Sequence, residues 1–230
     1  MTTLVLLPGL DGTGRLFQPF LRELPEEWRP LVVAYPMDAD AGYDALTRLA
    51  AQALPADGPV VVLGESFSGP IAIRLANLLG ARLKALVLCC SFARNPRPGL
   101  ARLGGLIAWL PSPAALPSSL AVQALLGSNP PVESRALLAT ALASLPTAVL
   151  RARLRMVMTV DVTRELGTVR APLLYLQAAQ DRIVPPAAAM NIQQLRPQTV
   201  VTRLGGPHGL LQAAPAASAA AMTSFLTRLT

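Results

Sequence analysis

Histidine, cysteine and aromatic residues are all scarce in this chain of 230 residues. It contains one histidine, two cysteines and 4% aromatic residues, and only 14% of its residues are charged. Nucleic-acid binding needs clustered basic residues with aromatic side chains between them, and scattered arginines do not supply such clusters. A metal site needs more ligands than one histidine and two adjacent thiols, Cys89 and Cys90, can supply. We therefore expect no nucleic-acid partner, no metal and no other cofactor.

Long uninterrupted apolar runs are also missing, although 52% of the residues are hydrophobic. A membrane-spanning helix needs about 20 consecutive apolar residues. The best stretch for such a helix, residues 103–132, is broken by five prolines, so we expect no transmembrane span. The N-terminal segment lacks a basic region and a cleavage site and runs straight into a glycine-rich loop. These features predict no export signal and a cytoplasmic protein.

Positive charge exceeds negative charge, with a formal net charge of +7 at pH 7. Arginine carries almost all of it, because Lys84 is the only lysine. This bias, together with abundant alanine, is typical of high-GC codon usage. The alternative interpretation is a surface that attracts an anionic substrate, an acidic carrier protein or an anionic membrane.

Short apolar runs alternate with helical patterns along most of the chain. Most of these runs are unbroken, which is typical of strands in a parallel sheet that helices cover on both faces. We predict one α/β domain over residues 1–230, with a doubly wound, mostly parallel, six-stranded sheet. The predicted strands are residues 4–7, 31–35, 60–63, 85–90, 173–177 and 199–204. The predicted helices are residues 16–23, 43–54, 70–79, 187–195 and 216–229.

The most informative feature is an apolar strand that passes through small residues directly into a helix at Ser66. A tight bend of this kind exposes the serine hydroxyl beside the helix N-terminus, which suits a nucleophile. Gly64 matches the G-x-S-x-G pattern of such bends, but Ser68 stands in place of the second glycine and Gly69 follows it. Serine is small enough for the turn to form, with a tighter contact near Ser68. The alternative is an ordinary serine at a helix N-cap.

A nucleophilic serine needs a base and an acid that orients the base. His208, the sole histidine, lies in a glycine-flanked loop after the last predicted strand, and Asp181 lies just past the fifth. Asp161 is the backup for the acid. The order Ser66, Asp181, His208, each after a strand, resembles the α/β-hydrolase family over essentially the whole chain. The first strand already carries the Pro8-Gly9-Leu10 loop, so the resemblance implies a trimmed form of this fold without two N-terminal strands of many members.

The resemblance also implies an insertion over the active site after the fourth strand. Residues 93–158 contain no convincing strand, and their composition is helical and apolar, so we predict a helical lid there. Trp109, Leu106 and Leu110 are the predicted substrate contacts within it. The wider set of residues that could form its inner face, most of which would only pack the lid onto the body, is Leu106, Ile107, Trp109, Leu110, Leu116, Leu120, Leu125 and Leu126.

Acyl transfer builds negative charge on the former carbonyl oxygen, and preorganised donors must meet it. By resemblance, the donors of this oxyanion hole are the backbone amides of Phe67 and Leu10. Gly9 would permit the bend that turns the Leu10 amide inward and would contact substrate, and Asp11 would cap the helix that follows. The glycines at residues 9, 12 and 14 do not have G-x-G-x-x-G spacing, which disfavours a dinucleotide site.

The resemblance implies a serine carboxylesterase that acts through an acyl-enzyme on a small-molecule acyl ester of short to medium chain length. A first alternative is hydrolysis of an ester or thioester on acyl carrier protein, resembling the methyl-ester carboxylesterases of biotin synthesis. A second is a non-catalytic small-molecule binder, as some hormone receptors of this superfamily are. A hydrolase with an aspartate nucleophile is disfavoured because the bend carries serine. The oligomeric state stays open.

Overall fold

A computed structural model describes residues 2–99 and 118–229 of the chain. Six strands form one sheet in the order β2-β1-β3-β4-β5-β6, and every neighbouring pair is parallel. The prediction of a six-stranded, mostly parallel sheet is therefore confirmed. The strands are β1 (Thr2–Leu7), β2 (Trp28–Val32), β3 (Val60–Glu65), β4 (Leu83–Cys89), β5 (Leu173–Ala178) and β6 (Val200–Leu204).

The strand order reverses between β1 and β3, since β2 lies on one side of β1 and all later strands lie on the other. Ligands of open α/β sheets bind at such a reversal, at the carboxyl ends of the strands. The loop after β1 and the bend after β3 both begin there. The topology therefore places the two segments singled out in the sequence beside each other.

Helices cover both faces of the sheet, which confirms the doubly wound arrangement. Successive residues of the central strands point to opposite faces, so Val5 and Leu7 pack on one side and Leu4 and Leu6 on the other. The first side holds α2 (Tyr43–Gln52), α3 (Gly69–Leu79), α7 (Thr163–Thr168) and α8 (Ala187–Leu195). The second side holds α1 (Gln18–Leu21), α9 (Leu210–Ala213) and α10 (Pro215–Thr227).

The second strand lies three residues earlier than predicted, at Trp28–Val32 instead of residues 31–35. It is one of the two edge strands of the sheet, and all of its residues are partly or fully exposed. An apolar pattern marks buried strands, so it is a poor guide to an edge. Val33 and Tyr35, which suggested the strand, are buried in the irregular segment beyond it, and Tyr35 donates its backbone N–H to the Gly12 carbonyl at 2.7 Å.

A helical insertion separates β4 from β5, as predicted. Its described part contains α4 (Ser118–Leu126), α5 (Val132–Ser144) and α6 (Thr147–Thr159), followed by α7. Its two ends are tied together by hydrogen bonds from the Val162 amide to the Ala93 carbonyl at 2.8 Å and from the Asn95 amide to the Val160 carbonyl at 3.0 Å. These bonds fix where the insertion leaves and rejoins the body of the protein.

Several residues predicted for the inner face of the insertion lie outside the described residues, namely Leu106, Ile107, Trp109, Leu110 and Leu116. Leu120 was predicted for that face, but its side chain is 60% exposed on α4, so that assignment is wrong. Among residues 2–99 and 118–229, no single helix is long and apolar enough to cross a membrane, although α5 and α6 pass the same test as a pair bent by 100°.

Candidate active site

The bend at Ser66 has the geometry that the sequence predicts. Ser66 adopts a φ of 48°, a left-handed conformation that is uncommon for any residue other than glycine. A Cβ atom at Gly64 would lie 2.6 Å from the Ala72 Cβ and 2.9 Å from the Ser68 carbonyl, so only glycine fits before the bend. At Gly69, a Cβ atom would overlap the hydroxyl of Ser91. The second glycine of the bend is therefore needed one position later than in the usual motif.

Ser68 takes the place of the usual second glycine, and its side chain is fully buried. Its hydroxyl donates a hydrogen bond to the Pro8 carbonyl and accepts one from the Tyr35 hydroxyl at 2.7 Å. The tight contact expected near this residue is thus a pair of hydrogen bonds. They connect the bend to the loop after β1.

The structure brings Ser66, His208 and Asp181 into one hydrogen-bonded chain. The Ser66 Oγ lies 2.8 Å from His208 Nε2, and His208 Nδ1 lies 2.8 Å from Asp181 Oδ2. Both the histidine and the aspartate side chains are only 6% exposed. When Nδ1 carries the proton and donates a hydrogen bond to the carboxylate, Nε2 is left as an acceptor for the serine hydroxyl. This arrangement can activate the hydroxyl for attack.

Two backbone amides orient the carboxylate of Asp181. The amides of Ile183 and Val184 each donate to Oδ1 at 2.8 Å. The backup acid, Asp161, instead accepts hydrogen bonds from the amide and hydroxyl of Thr163 at 2.9 and 2.6 Å, where α7 begins. The hydrogen bond from the Thr163 hydroxyl lowers the pKa of Asp161. Of the two aspartates, it is Asp181 that is hydrogen-bonded to His208.

The Phe67 amide belongs to the same peptide group as the Ser66 carbonyl. That carbonyl accepts a hydrogen bond from Ser91 Oγ at 2.5 Å, and in a trans peptide the N–H points the opposite way. Phe67 is also the second residue of the 3-10 turn Ser66–Ser68. The backbone N–H at that position has no hydrogen-bond acceptor inside the turn. The Phe67 ring is buried and stacks on Tyr43 with ring centroids 5.0 Å apart.

The loop after β1 differs from expectation at two residues. Gly9 does not adopt a positive φ, and a Cβ atom there would make only ordinary contacts at 3.7 Å or more, so the bend does not require this glycine. The left-handed conformations occur instead at Gly12 and Gly14, with φ of 74° and 71°. Asp11 does not cap the next helix, because its carboxylate accepts from the amide of Thr13 at 2.9 Å within the loop, and also from the Thr13 hydroxyl.

A cavity of about 260 Å³ opens over Ser66 and His208. Gly9 and Leu10 line it, together with the carboxylate-bearing Asp11 and Glu65. The helical insertion supplies most of its apolar wall, and two of these residues, Leu125 and Leu126, were predicted for the inner face. The wall residues from the insertion are Ala121, Leu125, Leu126, Leu138, Leu142, Leu145 and Leu150.

Within the described part of the chain, one group of side chains is close enough together to bind a metal ion by distance alone. It consists of Cys90, Asp181 and His208. Their ligand atoms lie within 4.8 Å of one another. Two of the three residues are already hydrogen-bonded to each other in the serine-histidine-aspartate chain. The group therefore belongs to the site already described.

Three residues of the site were missed by sequence reasoning, namely Glu65, Gln212 and Arg153. Glu65 Oε1 accepts from Gln212 Nε2 at 3.0 Å, and the Gly9 amide also bonds to this carboxylate. Burial raises the pKa of Glu65 from its ordinary value of 4.5 to about 7, although both hydrogen bonds lower it. The signal for Glu65 was available, because a charged residue at the end of a buried strand is unusual. Nothing local marks Gln212 or Arg153, which act through contacts distant in sequence.

Glu65→Gln should make stability less dependent on pH. Between pH 4.5 and 7 the folded wild type retains a proton on Glu65 that the unfolded chain has released, so wild-type stability falls as pH rises through this window. A neutral amide is not subject to this loss. The free energy of unfolding of the variant, relative to wild type, should therefore rise by about 3 kcal/mol between pH 4.5 and pH 8. Urea unfolding at the two pH values measures this change.

Glu26→Gln, which removes the same charge from an exposed position, is the matched control and should show no such change. An equal pH dependence of the two variants would show that Glu65 is not protonated in the folded protein near neutral pH.

Comparison with known proteins identifies the family to which this fold belongs. Residues 4–221 match the model of the alpha/beta hydrolase family. The chain therefore belongs to the alpha/beta hydrolase family. The family predicted from the order of the three residues is thus confirmed.

Among curated proteins, the chain is similar to polyketide synthase ThaQ from Burkholderia thailandensis, with 30% identity over 233 residues. The match covers 88% of this chain but only 10% of that protein, so this chain spans about a tenth of its length. Among solved structures, the esterase EaEST from Exiguobacterium antarcticum superposes with a TM-score of 0.82 at 14% identity, over 99% of this chain and 92% of that one. The hydrolase olei00960 from Oleispira antarctica superposes with a TM-score of 0.79 at 15% identity, over 98% and 90%. At such identities these structures establish the fold alone.

Proposed function

We propose that this chain is a serine carboxylesterase with Ser66 as nucleophile, His208 as base and Asp181 as the acid that orients the base. One observation carries the proposal: the Ser66 Oγ lies 2.8 Å from His208 Nε2 while Asp181 holds the opposite nitrogen of the ring. The serine is on a strained bend at the floor of an apolar cavity. An ordinary N-cap serine would need neither the histidine nor the strain.

In the proposed mechanism, Ser66 Oγ attacks the ester carbonyl carbon while His208 Nε2 takes the hydroxyl proton. The amides of Leu10 and Phe67 stabilise the negative charge on the carbonyl oxygen. His208 then gives the proton to the departing alcohol oxygen as the bond from that oxygen to the acyl carbon breaks, which leaves an acyl-enzyme. A water molecule, deprotonated by His208, attacks the acyl carbon. The bond from this carbon to Ser66 Oγ then breaks as His208 returns the proton to Oγ, which releases the acid.

The cavity supports a preference for short acyl chains. Its volume of about 260 Å³ lies just below the range of about 300–1,000 Å³ that is usual for ligand pockets. On p-nitrophenyl esters, kcat/KM should therefore be highest for acyl groups between acetyl and hexanoyl and should fall towards palmitoyl. Leu142→Ala, which removes part of the cavity wall, should shift the optimum towards longer chains.

The matched control is Leu78→Ala, because Leu78 is 66% exposed on α3 and does not line the cavity. It should leave the chain-length profile unchanged. A wild-type optimum at palmitoyl would contradict the proposed substrate size and favour a lipase.

A second candidate is hydrolysis of an acyl group carried by acyl carrier protein. The similarity to a segment of a protein named as a polyketide synthase favours it, and the net charge of +7 would attract an acidic carrier. If this is the function, kcat/KM on a carrier-linked substrate falls steeply with added salt while that on a small ester does not. Equal salt dependence of the two substrates would exclude a steered carrier.

A further inference from the structure

Arg153 is a buried arginine on α6 of the insertion, and only 2% of it is exposed. Its guanidinium group donates three hydrogen bonds to backbone carbonyls. Nη1 lies 2.8 Å from the Leu10 oxygen and 2.9 Å from the Asp11 oxygen, and Nη2 lies 2.9 Å from the Pro36 oxygen. Each of these carbonyls is far from residue 153 in sequence. Arg153 therefore links the insertion to the loop after β1 and to the segment that follows β2.

The guanidinium also lies over two aromatic rings. Its Cζ is 5.9 Å from the ring centroids of both Tyr35 and Phe67, within the range of cation–π attraction. The loop leaves room for it at Gly12, where a Cβ atom would lie 2.5 Å from Nη1. A buried charge is costly unless it is well solvated by polar groups, and in the described part of the chain Arg153 has no carboxylate within ion-pair distance. The three backbone carbonyls and the two rings therefore supply the solvation of this buried charge.

Arg153 contacts both segments of the chain that supply the proposed oxyanion donors, the loop that contains Leu10 and the bend that contains Phe67. On one side, the Leu10 amide shares its peptide group with the Gly9 carbonyl, which accepts from the Gly12 amide at 3.0 Å. Arg153 holds the next two carbonyls of this same turn, so the orientation of the Leu10 amide depends on it. On the other side, the ring of Phe67 lies against the guanidinium while its amide lies beside Ser66.

We propose that Arg153 is a positioning residue that fixes the Leu10 and Phe67 amides as an oxyanion hole and so couples this hole to the docking of the helical insertion. The proposal rests on the proposed esterase function. Its consequence is that catalysis depends on the insertion even for substrates too small to touch it. Movement of α6 away from the body would disorder the Leu10 amide before it exposed the serine, histidine and aspartate.

Arg153→Met and Arg153→Lys test this proposal on p-nitrophenyl acetate, with Arg155→Met as the matched control. Arg155 lies on the same helix and is exposed. Removal of one oxyanion donor typically lowers kcat by about 10²-fold to 10³-fold. We expect Arg153→Met to lower kcat by about 10²-fold with KM changed less than about threefold. Lysine reaches fewer of the three carbonyls, so Arg153→Lys should lie between methionine and wild type. Arg155→Met should behave as wild type.

A second readout separates positioning from a general loss of structure. A trifluoromethyl ketone forms an oxyanion on Ser66, so its affinity should fall by the same factor as kcat/KM in each Arg153 variant. Circular dichroism at the assay temperature gives the folded fraction. If Arg153→Met does not fold, Arg153→Lys alone decides by the same two measurements.

The proposal is overturned if a folded Arg153 variant retains kcat and trifluoromethyl ketone affinity within about threefold of wild type, or if only KM changes. Failure of the esterase function itself looks different, because the wild type would then neither hydrolyse the ester nor bind the ketone covalently. In that case the role assigned to Arg153 fails together with the function on which it rests.

Discussion

Ser66→Ala and His208→Ala are each expected to lower kcat/KM on p-nitrophenyl acetate by at least about 10³-fold. The serine supplies the attacking oxygen, and His208, as the only histidine, has no substitute as a base at neutral pH. The two groups act as one unit, since the hydroxyl is activated only while it lies 2.8 Å from Nε2. The double variant should therefore be little worse than either single one. Steady-state kinetics on the three variants measure this.

Ser68→Ala is the control for this series. Ser68 lies two residues from Ser66 and is buried, but its hydroxyl bonds to Pro8 and Tyr35 and not to His208. It should cost much less activity than Ser66→Ala. If the effects of the Ser66 and His208 substitutions multiply in the double variant, the two residues do not work on the same step.

Asp181→Asn should also lower kcat/KM by about 10³-fold or more. Oδ1 of Asp181 accepts two backbone amides, so an asparagine would keep its oxygen there and turn its NH₂ group towards His208. Nδ1 would then have to accept a hydrogen bond, which places the ring proton on Nε2, facing Ser66. A protonated Nε2 cannot take the serine proton. The rate on p-nitrophenyl acetate, measured with the folded state checked by circular dichroism, tests this expectation.

Asp161→Asn provides the matched control, because the sequence offered both aspartates as the acid. Asp161 accepts hydrogen bonds from Thr163 and does not contact His208. This substitution should therefore change kcat/KM by less than about threefold, although it weakens the hydrogen bonds at the start of α7. A larger loss from Asp161→Asn than from Asp181→Asn would reverse the assignment.

Features determined by short stretches of sequence could be predicted well. The bend at Ser66 follows from a buried strand, small residues and a helix in one continuous run, and Gly64 is required by contacts within that run. The positions of Asp181 and His208 follow from the rule that loops at the carboxyl ends of parallel strands meet. These three residues are near one another because the topology of the sheet brings them there.

Features determined by contacts distant in sequence could not be predicted. Arg153 looks like any other arginine in a helix, and only the folded chain shows that it reaches three carbonyls of loops more than 100 residues away. The second strand was misplaced because its position at the sheet edge leaves it half exposed. The bend of the loop after β1 was assigned to Gly9, but the positive φ angles occur at Gly12 and Gly14. Composition alone does not show which glycine of a loop has a positive φ.

The proposed function requires the hydroxyl of Ser66 to be an activated nucleophile, and reaction with a fluorophosphonate tests this requirement. After incubation of the wild-type protein, mass spectrometry of proteolytic peptides locates any phosphonyl adduct. We expect a single adduct on the peptide that contains Ser66, no adduct on this peptide in Ser66→Ala, and much slower labelling of His208→Ala. An unlabelled Ser66 in folded wild-type protein, under conditions where a known serine hydrolase reacts completely, would contradict the proposed function.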